Sequence, residues 1–154
     1  MRIQKNLVSV IMNCYNGEEY LKQALNSLQM QSYKNWELIF YDNSSTDKSA
    51  LIIKKYKDKR IKYFKSIRKL NLGIARKMAL KKAKGNFISF LDTDDIWTRN
   101  KLNKQLKSFK DKRVGFSISN SIFFNKSKNR FFYSSKTSFE KKVFYKLIEN
   151  YFIS

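Results

Sequence analysis

The sequence predicts an α/β protein in which helices cover both faces of a mostly parallel β-sheet, giving a three-layer α/β/α sandwich. Runs of β-branched and aromatic residues alternate along the chain with stretches whose apolar residues recur at helical spacing, which is typical of consecutive βαβ units. The first run, residues 7–12, is almost continuously apolar, as expected of a strand that is buried on both faces of a parallel sheet.

Strands and helices are predicted to alternate over roughly the first two thirds of the chain. The predicted strands cover residues 7–12, 36–41, 61–64 and 87–91. Each is followed by a predicted helix with one apolar face, formed in the first helix by Leu21, Ala24, Leu25 and Leu28. The second helix is predicted to end near residue 56 and the third to cover residues 73–84, while the fourth carries Leu102, Leu106 and Phe109.

Local signals predict how two of these helices begin and end. Asn16 is expected to cap the first helix, because Glu19 follows three residues later as in a capping box. Gly85 is expected to form the C-terminal cap of the third helix.

The pattern changes beyond residue 112. Residues 114–124 alternate like a strand, and residues 130–133 are its predicted hairpin partner. Apolar residues at helical spacing between 139 and 151 predict a last amphipathic helix.

Composition excludes several classes of protein. With 154 residues, 42% of them hydrophobic and 16% aromatic, the chain has enough apolar material for a core, which excludes a wholly disordered chain. The sequence has no His and a single Cys, Cys14, which excludes His-based catalysis, an intrachain disulfide framework and a multi-cysteine zinc site. No apolar run approaches the about 20 residues that span a bilayer, and no secretion signal is evident, so we expect a cytoplasmic location.

The net charge of +21, from 33 basic and 12 acidic residues, raises the question of an anionic partner. Residues 1–95 carry 19 basic and 9 acidic residues and residues 96–154 carry 14 and 3, so the charge does not form a basic arm. A codon bias towards Lys, Asn and Ile explains much of it. We still expect the lysines of residues 101–112 and 141–146 to favour peripheral contact with an anionic membrane, without specific recognition of nucleic acid.

Polar clusters follow three of the predicted strands, at residues 13–16, 42–47 and 92–95. Right-handed crossovers bring the carboxyl ends of parallel strands to one edge of the sheet, and ligands of open α/β sheets bind at that edge. The three clusters therefore predict a single ligand site.

Carboxylates in the last of these clusters predict a metal–phosphate site. Asp92 and Asp94 face the same way in an extended segment, and hard oxygen ligands suit Mg²⁺ or Mn²⁺, which commonly share their coordination with substrate phosphates. The alternative is a solvated loop with Asp95 as a helix cap. The position at a strand end beside two other polar loops favours the metal site.

Other residues near this edge have both a binding and a structural interpretation. Asp42 could accept a hydrogen bond from a base or ribose hydroxyl, or form an Asx-turn, which is the favoured interpretation for Asp47. Tyr15 could stack on a nucleobase or belong to the core, and Arg76 could bind phosphate oxygens or lie free on the surface. Cys14 is predicted to be a small buried hydrophobe.

An ordered series of motifs resembles the family 2 glycosyltransferases, which have the GT-A fold. The matching residues are 8–21 (VSVIMNCYNGEEYL), 24–28 (ALNSL), 31–33 (QSY), 36–39 (WELI), 42–47 (DNSSTD), 71–76 (NLGIAR), 85–97 (GNFISFLDTDDIW) and 101–102 (KL). The resemblance covers about residues 6–110, with 111–154 as a partial continuation. Two positions depart from the family pattern: Asn43 stands where a second Asp is common, and Lys77 where an Asn often follows the Arg.

The resemblance implies a nucleotide-sugar site at six positions: Asn13, Tyr15, Glu19, Asp42, Arg76 and Asp92. The first three would contact the nucleotide and Asp42 the base. Asp92 and Asp94 would be the D-x-D pair that handles the ribose and the metal–diphosphate, with Asp94 as the direct ligand of a Mn or Mg ion.

The resemblance also implies transfer of a sugar, with inversion, from a UDP- or GDP-sugar to an acceptor such as a cell-surface polysaccharide, a lipid-linked glycan or a protein. The family's catalytic base is a carboxylate in a later, acceptor-binding half. After Asp95 the sequence offers Asp111, Glu140 and Glu149, none in a matching motif, so the catalytic residue is unknown. We therefore expect one glycosyltransferase-like domain over 1–154 that is incomplete at its C-terminus and binds donor without normal turnover. It would be a fragment, a truncated reading frame or one half of a split enzyme that a complementary C-terminal half completes.

Two other functions are weaker. A nucleotidyltransferase usually has a glycine-rich phosphate loop after its first strand, whereas residues 13–17 contain one glycine. A basic nucleic-acid-binding module would interleave aromatic and basic residues on one face, whereas the Phe and Tyr residues here fall mostly on apolar faces.

Overall fold

The structure is a computed structural model that describes residues 4–119, 121–124 and 129–131. The chain divides into two compact units, Met1–Val114 and Gly115–Ser154. The single-domain assignment over 1–154 stays a prediction.

The first unit is built on a four-stranded, fully parallel sheet in the order β3-β2-β1-β4. Its strands are β1 (Gln4–Cys14), β2 (Trp36–Asp42), β3 (Ile61–Lys65) and β4 (Gly85–Phe90). The helices are α1 (Leu21–Gln29), α2 (Ser49–Lys54), α3 (Leu72–Leu80) and α4 (Lys101–Ser108). All eight predicted elements are present, and the carboxyl ends of the strands meet at one edge.

Helices cover both faces of this sheet, which confirms the three-layer prediction. Because successive side chains of a strand point to opposite faces, Val10 of β1 joins a core that includes Leu21 and Leu25 of α1. Its neighbour Ile11 packs on the other face with Ala75 of α3.

Ser9 and Glu37 form a buried polar pair within the sheet, away from its carboxyl edge. The Ser9 hydroxyl donates to Glu37 Oε1 at 2.6 Å and accepts from the Gly85 amide at 2.8 Å. Glu37 Oε1 also accepts from the Lys84 amide at 2.7 Å. These bonds join β1 and β2 to the start of β4 and set the position of that strand.

The prediction that Gly85 caps the third helix is wrong. Helix α3 ends at Leu80, with Lys81 as its C-cap, and Gly85 is the first residue of β4. A β-carbon on Gly85 would lie 2.5 Å from the Leu7 carbonyl oxygen, so this position requires glycine because the two strand backbones approach closely.

Helix boundaries also differ from the predicted ones. Helix α2 ends at Lys54 rather than near residue 56, and α3 ends four residues before its predicted limit at 84. Met78 of α3 is exposed, although it lies at helical spacing from the buried Ala75.

In the second unit, β5 (Ile122–Phe124) pairs antiparallel with β6 (Asn129–Phe131). The predicted hairpin is therefore present, although residues 114–119 form no strand. The helix predicted for 139–151 lies outside the described residues. Over the ranges that the structure describes, no helix is long and apolar enough to cross a membrane.

Candidate functional site

Hydroxyl and amide side chains join the loops that follow β1 and β2. The backbone N–H of Asn16 donates to Ser45 Oγ at 3.1 Å, and the backbone N–H of Gly17 donates to Ser49 Oγ at 3.0 Å. In return, Asn16 Oδ1 accepts from the Thr46 amide at 2.9 Å. These hydrogen bonds hold the two loops together at the carboxyl edge of the sheet.

The prediction that Asn16 caps the first helix is wrong. Tyr20 occupies the N-cap of α1 and makes no capping bond with its side chain. Asn16 has a left-handed backbone, with φ of 53°, a conformation that Asn tolerates well. Its carboxamide is used across the two loops instead.

Asp47 has the structural role that the sequence predicts. Its Oδ1 accepts from the Ser49 amide and its Oδ2 from the Glu18 amide, both at 2.9 Å. Burial raises the pKa of Asp47, but these hydrogen bonds outweigh burial and lower it overall. Glu18 Oε2 completes the contact by accepting from the Lys48 amide at 2.8 Å.

Asp42 ends β2 and is fully buried. Its Oδ1 accepts from the Ser45 amide and its Oδ2 from the Tyr63 hydroxyl, both at 2.7 Å. Burial, followed by this bond to Asp42, raises the pKa of Tyr63 far above its usual value. Both oxygens of Asp42 therefore support the protein, and its predicted contact with the base stays a prediction.

Asn13 lies near the carboxyl end of β1. Its Nδ2 and Oδ1 are buried and neither forms a hydrogen bond within the part of the chain that the structure describes. Such atoms are costly when buried. A ligand with both a donor and an acceptor would satisfy them.

The D-x-D segment forms a tight turn directly after β4, where the Asp95 amide donates to the Asp92 carbonyl at 3.2 Å. Asp92 and Asp94 are both exposed. Arg76 Nη2 lies 3.3 Å from Asp92 Oδ1, which brings the predicted phosphate-binding cation to the same edge. Burial, then the charges of Asp92 and Asp94, raise the pKa of Asp95, while Lys101 opposes the rise.

The carboxylates do not form a three-ligand cage. Among residues 4–119, 121–124 and 129–131, no group of three or more His, Cys, Asp or Glu side chains could hold a metal ion. Asp92 and Asp94 nevertheless present the hard oxygen donors that Mg²⁺ and Mn²⁺ prefer. A divalent ion bound by this pair would need further oxygens, which a diphosphate and water can supply.

Gly17 lets the D-x-D turn pack against the loop after β1. A β-carbon at Gly17 would lie 3.0 Å from the Cβ and Oγ1 atoms of Thr93 and 3.2 Å from Cys14 Sγ. Cys14 is buried, as predicted, and burial raises the pKa of its thiol.

Tyr15 and Glu19 lie on the loop between β1 and α1. The Tyr15 side chain is 45% exposed, and the ammonium of Lys69 lies 3.7 Å from the centroid of its ring. Hydrogen bonding to Glu19, and then the charge of Glu19, raises the pKa of Tyr20. The close approach of Gly17 to Thr93 places this loop against the D-x-D turn.

The predicted site residues lie at the carboxyl ends of β1 and β2, on the loops that follow β1 and β4, or on α3. Arg76 contacts Asp92 directly. Two features of the candidate site could not be predicted from the sequence motifs. They are the close approach of Gly17 to Thr93 and the position of Lys69 over the Tyr15 ring. Both depend on contacts between residues more than fifty positions apart, for which the sequence contains no periodic signal.

A parallel sheet of this order, with a D-x-D turn at its carboxyl edge, places the first unit in the GT-A class of glycosyltransferase folds. Solved structures agree. Staphylococcus aureus TarS 1–349 in complex with UDP-GlcNAc matches with a TM-score of 0.63 and 34% identity, over 68% of this chain and 31% of that one. A mannosyltransferase from Pyrobaculum calidifontis, in complex with GDP-Man and Mn²⁺, shares the fold with a TM-score of 0.67 and 24% identity, over 70% of this chain and 33% of that one.

The chain belongs to glycosyl transferase family 2, whose sequence profile matches residues 9–153. It is 39% identical over 114 residues to the Escherichia coli UDP-Glc:alpha-D-GlcNAc-diphosphoundecaprenol beta-1,3-glucosyltransferase WfgD, covering 74% of this chain and 45% of WfgD. It is 37% identical over 116 residues to the putative teichuronic acid biosynthesis glycosyltransferase TuaG of Bacillus subtilis, covering 74% of this chain and 46% of TuaG. The chain thus spans less than half the length of these relatives.

Proposed function

We propose that this chain forms the donor-binding part of a glycosyltransferase that transfers a sugar from a nucleoside-diphosphate sugar. The observation that carries the proposal is the position of Asp92 and Asp94 in a turn at the carboxyl edge of the sheet, beside Arg76. A uridine nucleotide is favoured, because WfgD is a UDP-Glc enzyme by name and TarS binds UDP-GlcNAc.

A Mg or Mn ion fits the donor set of this turn. Asp94 and Asp92 would hold it together with the diphosphate, and the ion would neutralise the diphosphate as it leaves the sugar. Arg76 adds a second positive charge next to Asp92 and can bind the phosphate oxygens. The carboxamide of Asn13 forms no hydrogen bond with the residues that the structure describes, and it is suited to a nucleotide group that both donates and accepts hydrogen bonds.

Turnover requires a base that removes the proton of the acceptor hydroxyl. Asp111 is a poor candidate, because hydrogen bonds from Arg113 lower the pKa of its carboxyl, with Arg113 Nη2 at 2.7 Å from Asp111 Oδ2. Glu140 and Glu149 lie outside the described residues. We therefore propose that residues 1–154 alone bind the donor without normal turnover, and that a C-terminal half supplies the base and the acceptor site.

The names of WfgD and TuaG favour a lipid-linked or polysaccharide acceptor. A protein with such an acceptor would work at the cytoplasmic face of the membrane, and the charge of +21 would attract it to anionic lipid. Among the predicted contacts, Lys104 and Lys107 of α4 are exposed. Lys101 is not available in the same way, because its ammonium donates to Gln105 Oε1 at 2.6 Å and burial lowers its pKa. Co-sedimentation with anionic and neutral vesicles over a salt series tests this contact.

Calorimetry with UDP and GDP, each in Mn²⁺ and in EDTA, tests donor binding. We expect UDP to bind in Mn²⁺ and to bind at least ten-fold more weakly in EDTA. Asp94→Asn should abolish the difference between Mn²⁺ and EDTA. Asp111→Asn is the matched control, because it removes the same charge from an exposed carboxylate outside the three strand-end loops, and it should leave binding unchanged. Absence of nucleotide binding by the wild-type chain would contradict the proposal.

A further inference from the structure

The ammonium of Lys69 occupies one face of the Tyr15 ring at 3.7 Å from its centroid. The Tyr15 side chain is nearly half exposed at the candidate site. Stacking on a nucleobase is one of the two interpretations of this ring that the sequence leaves open, and its exposure favours stacking over a place in the core. Within the described part of the chain, no carboxylate forms an ion pair with Lys69. Among the described residues, the Tyr15 ring is thus the contact of this ammonium, and no carboxylate there competes with an anionic ligand for it.

The position of Lys69 is fixed by the end of β2. The Leu70 amide donates to Asn43 Oδ1 at 2.9 Å, and Asn43 Nδ2 donates to the Leu70 carbonyl at 2.8 Å. The Ser66 amide donates to the Asp42 carbonyl at 2.9 Å. Both ends of residues 66–70 are therefore bound to β2 and the residue after it, and Lys69 is presented to Tyr15 by a supported loop rather than by chance on a free surface.

The energies of the two contacts favour replacement of the Lys69 ammonium by a nucleobase on the Tyr15 ring. A cation over an exposed aromatic ring contributes about 0.5–1 kcal/mol, whereas a base stacked on an aromatic side chain contributes about 1–3 kcal/mol. A base can therefore displace the ammonium from Tyr15. The displaced cation would remain close to the loop that carries Tyr15 and Gly17. Gly17 packs against Thr93 of the D-x-D turn, where the diphosphate is proposed to bind.

We propose that Lys69 is a donor-binding residue that leaves the face of Tyr15 when the base stacks there and pairs with the diphosphate instead. The inference rests on the proposed function and deepens it, because it assigns a second phosphate-binding cation in addition to Arg76. It also gives the site a preference for nucleoside diphosphates over nucleosides: a nucleoside has to displace the ammonium but offers it no phosphate in return.

Nuclear magnetic resonance of the free protein tests the starting contact. The ε-methylene protons of Lys69 should be shifted upfield by the ring current of Tyr15, and Tyr15→Leu should remove the shift. Saturating UDP should move these signals back to ordinary lysine values. An upfield shift that persists in saturating UDP would overturn the exchange.

Calorimetry of Lys69→Met with UDP and with uridine tests the new partner, since Met keeps an unbranched stem and loses the charge. We expect UDP to bind at least five-fold more weakly and uridine to bind equally or up to about three-fold more tightly, with a shallower salt dependence for UDP because one cation–phosphate contact is lost. Lys104→Met, an exposed lysine of α4, is the matched control and should change neither affinity.

Unchanged UDP binding by Lys69→Met would overturn the inference, and so would equal weakening of UDP and uridine, which would mean that Lys69 only shapes the Tyr15 surface. These outcomes leave the proposed function intact as long as the wild-type chain binds UDP and Asp94→Asn weakens that binding. A wild-type chain that binds no nucleotide would overturn both.

Discussion

Gly17 and Thr93 lie so close together that a β-carbon on Gly17 would come within 3.0 Å of the Thr93 Cβ and Oγ1 atoms. Thr93 is the middle residue of the D-x-D turn, so the position of Asp92 and Asp94 depends on the absence of a side chain at Gly17. A residue on the first loop thus controls the geometry of carboxylates that follow the fourth strand.

We predict that Gly17→Ala weakens UDP binding in Mn²⁺ by about five-fold or more, because the new methyl group pushes the D-x-D turn outwards. Overpacking of this kind costs about 1–3 kcal/mol, so the melting temperature should also fall. Gly73→Ala is the control: its β-carbon would have only an ordinary 3.7 Å contact with Asn71 Oδ1, and alanine favours a helix. A Gly17→Ala protein with wild-type affinity would show that the turn adapts without moving the carboxylates.

The Ser9–Glu37 pair should contribute to stability rather than to binding. We predict that Ser9→Ala lowers the free energy of unfolding by about 1–3 kcal/mol, because the Gly85 amide and Glu37 Oε1 each lose a buried partner. Urea unfolding measures the change. In the absence of urea, the UDP affinity of Ser9→Ala should stay near the wild-type value. Ser108→Ala, at the exposed end of α4, controls for the loss of a hydroxyl, and an equal effect of the two variants would contradict the prediction.

Acid should destabilise the protein partly through Asp58. Hydrogen bonds from Arg60 lower the pKa of Asp58, with Arg60 Nη2 at 2.6 Å from Asp58 Oδ2. A carboxyl whose folded pKa is depressed contributes stability above its unfolded pKa of about 3.9 and loses it as pH falls through the folded value. The guanidinium also stacks at 3.6 Å on Trp36, so the pair supports a buried ring.

We therefore predict that Asp58→Asn lowers the free energy of unfolding at pH 7 by about 1 kcal/mol and that the difference from wild type shrinks below about pH 4. Tryptophan fluorescence during urea unfolding at several pH values measures it. Asp111→Asn is the comparison, because it breaks a similar pair with Arg113 on the open surface. A difference for Asp58→Asn that is constant down to pH 2 would exclude the ionic contribution.

The fold could be predicted from local patterns because the central strands are buried on both faces. Residues 36–42 of β2 are all buried, and such runs are typical of parallel strands. The errors arise where a residue's partner is distant in sequence: Asn16 bonds to Thr46 instead of its own helix, and Gly85 makes room for Leu7 instead of ending α3. In both cases a tertiary contact overrides the local capping preference.

The sequence predicts that the candidate site residues gather at the carboxyl edge of the sheet, and the structure places them there, but the sequence does not predict their contacts. Asp92 and Asp94 follow a strand in the sequence, and chain topology alone places them at the ligand edge. The burial of Asp42 was not predictable, because it depends on Tyr63, which reaches it from the neighbouring strand. The contact of Lys69 with Tyr15 joins two loops whose separation in space no motif specifies.

Asn43 provides the last test, because its carboxamide both donates to and accepts from the backbone of Leu70. We predict that Asn43→Ala releases residues 66–70 from β2 and that amide hydrogen exchange at Leu70 becomes at least ten-fold faster. UDP affinity should fall too, because Lys69 is no longer presented to the site. Asn86→Ala, at an exposed position of β4, should change neither quantity. Because an aspartate can accept from the Leu70 amide but cannot donate to its carbonyl, Asn43→Asp should give intermediate exchange. Wild-type exchange at Leu70 in Asn43→Ala would show that the Ser66 contact alone holds the loop.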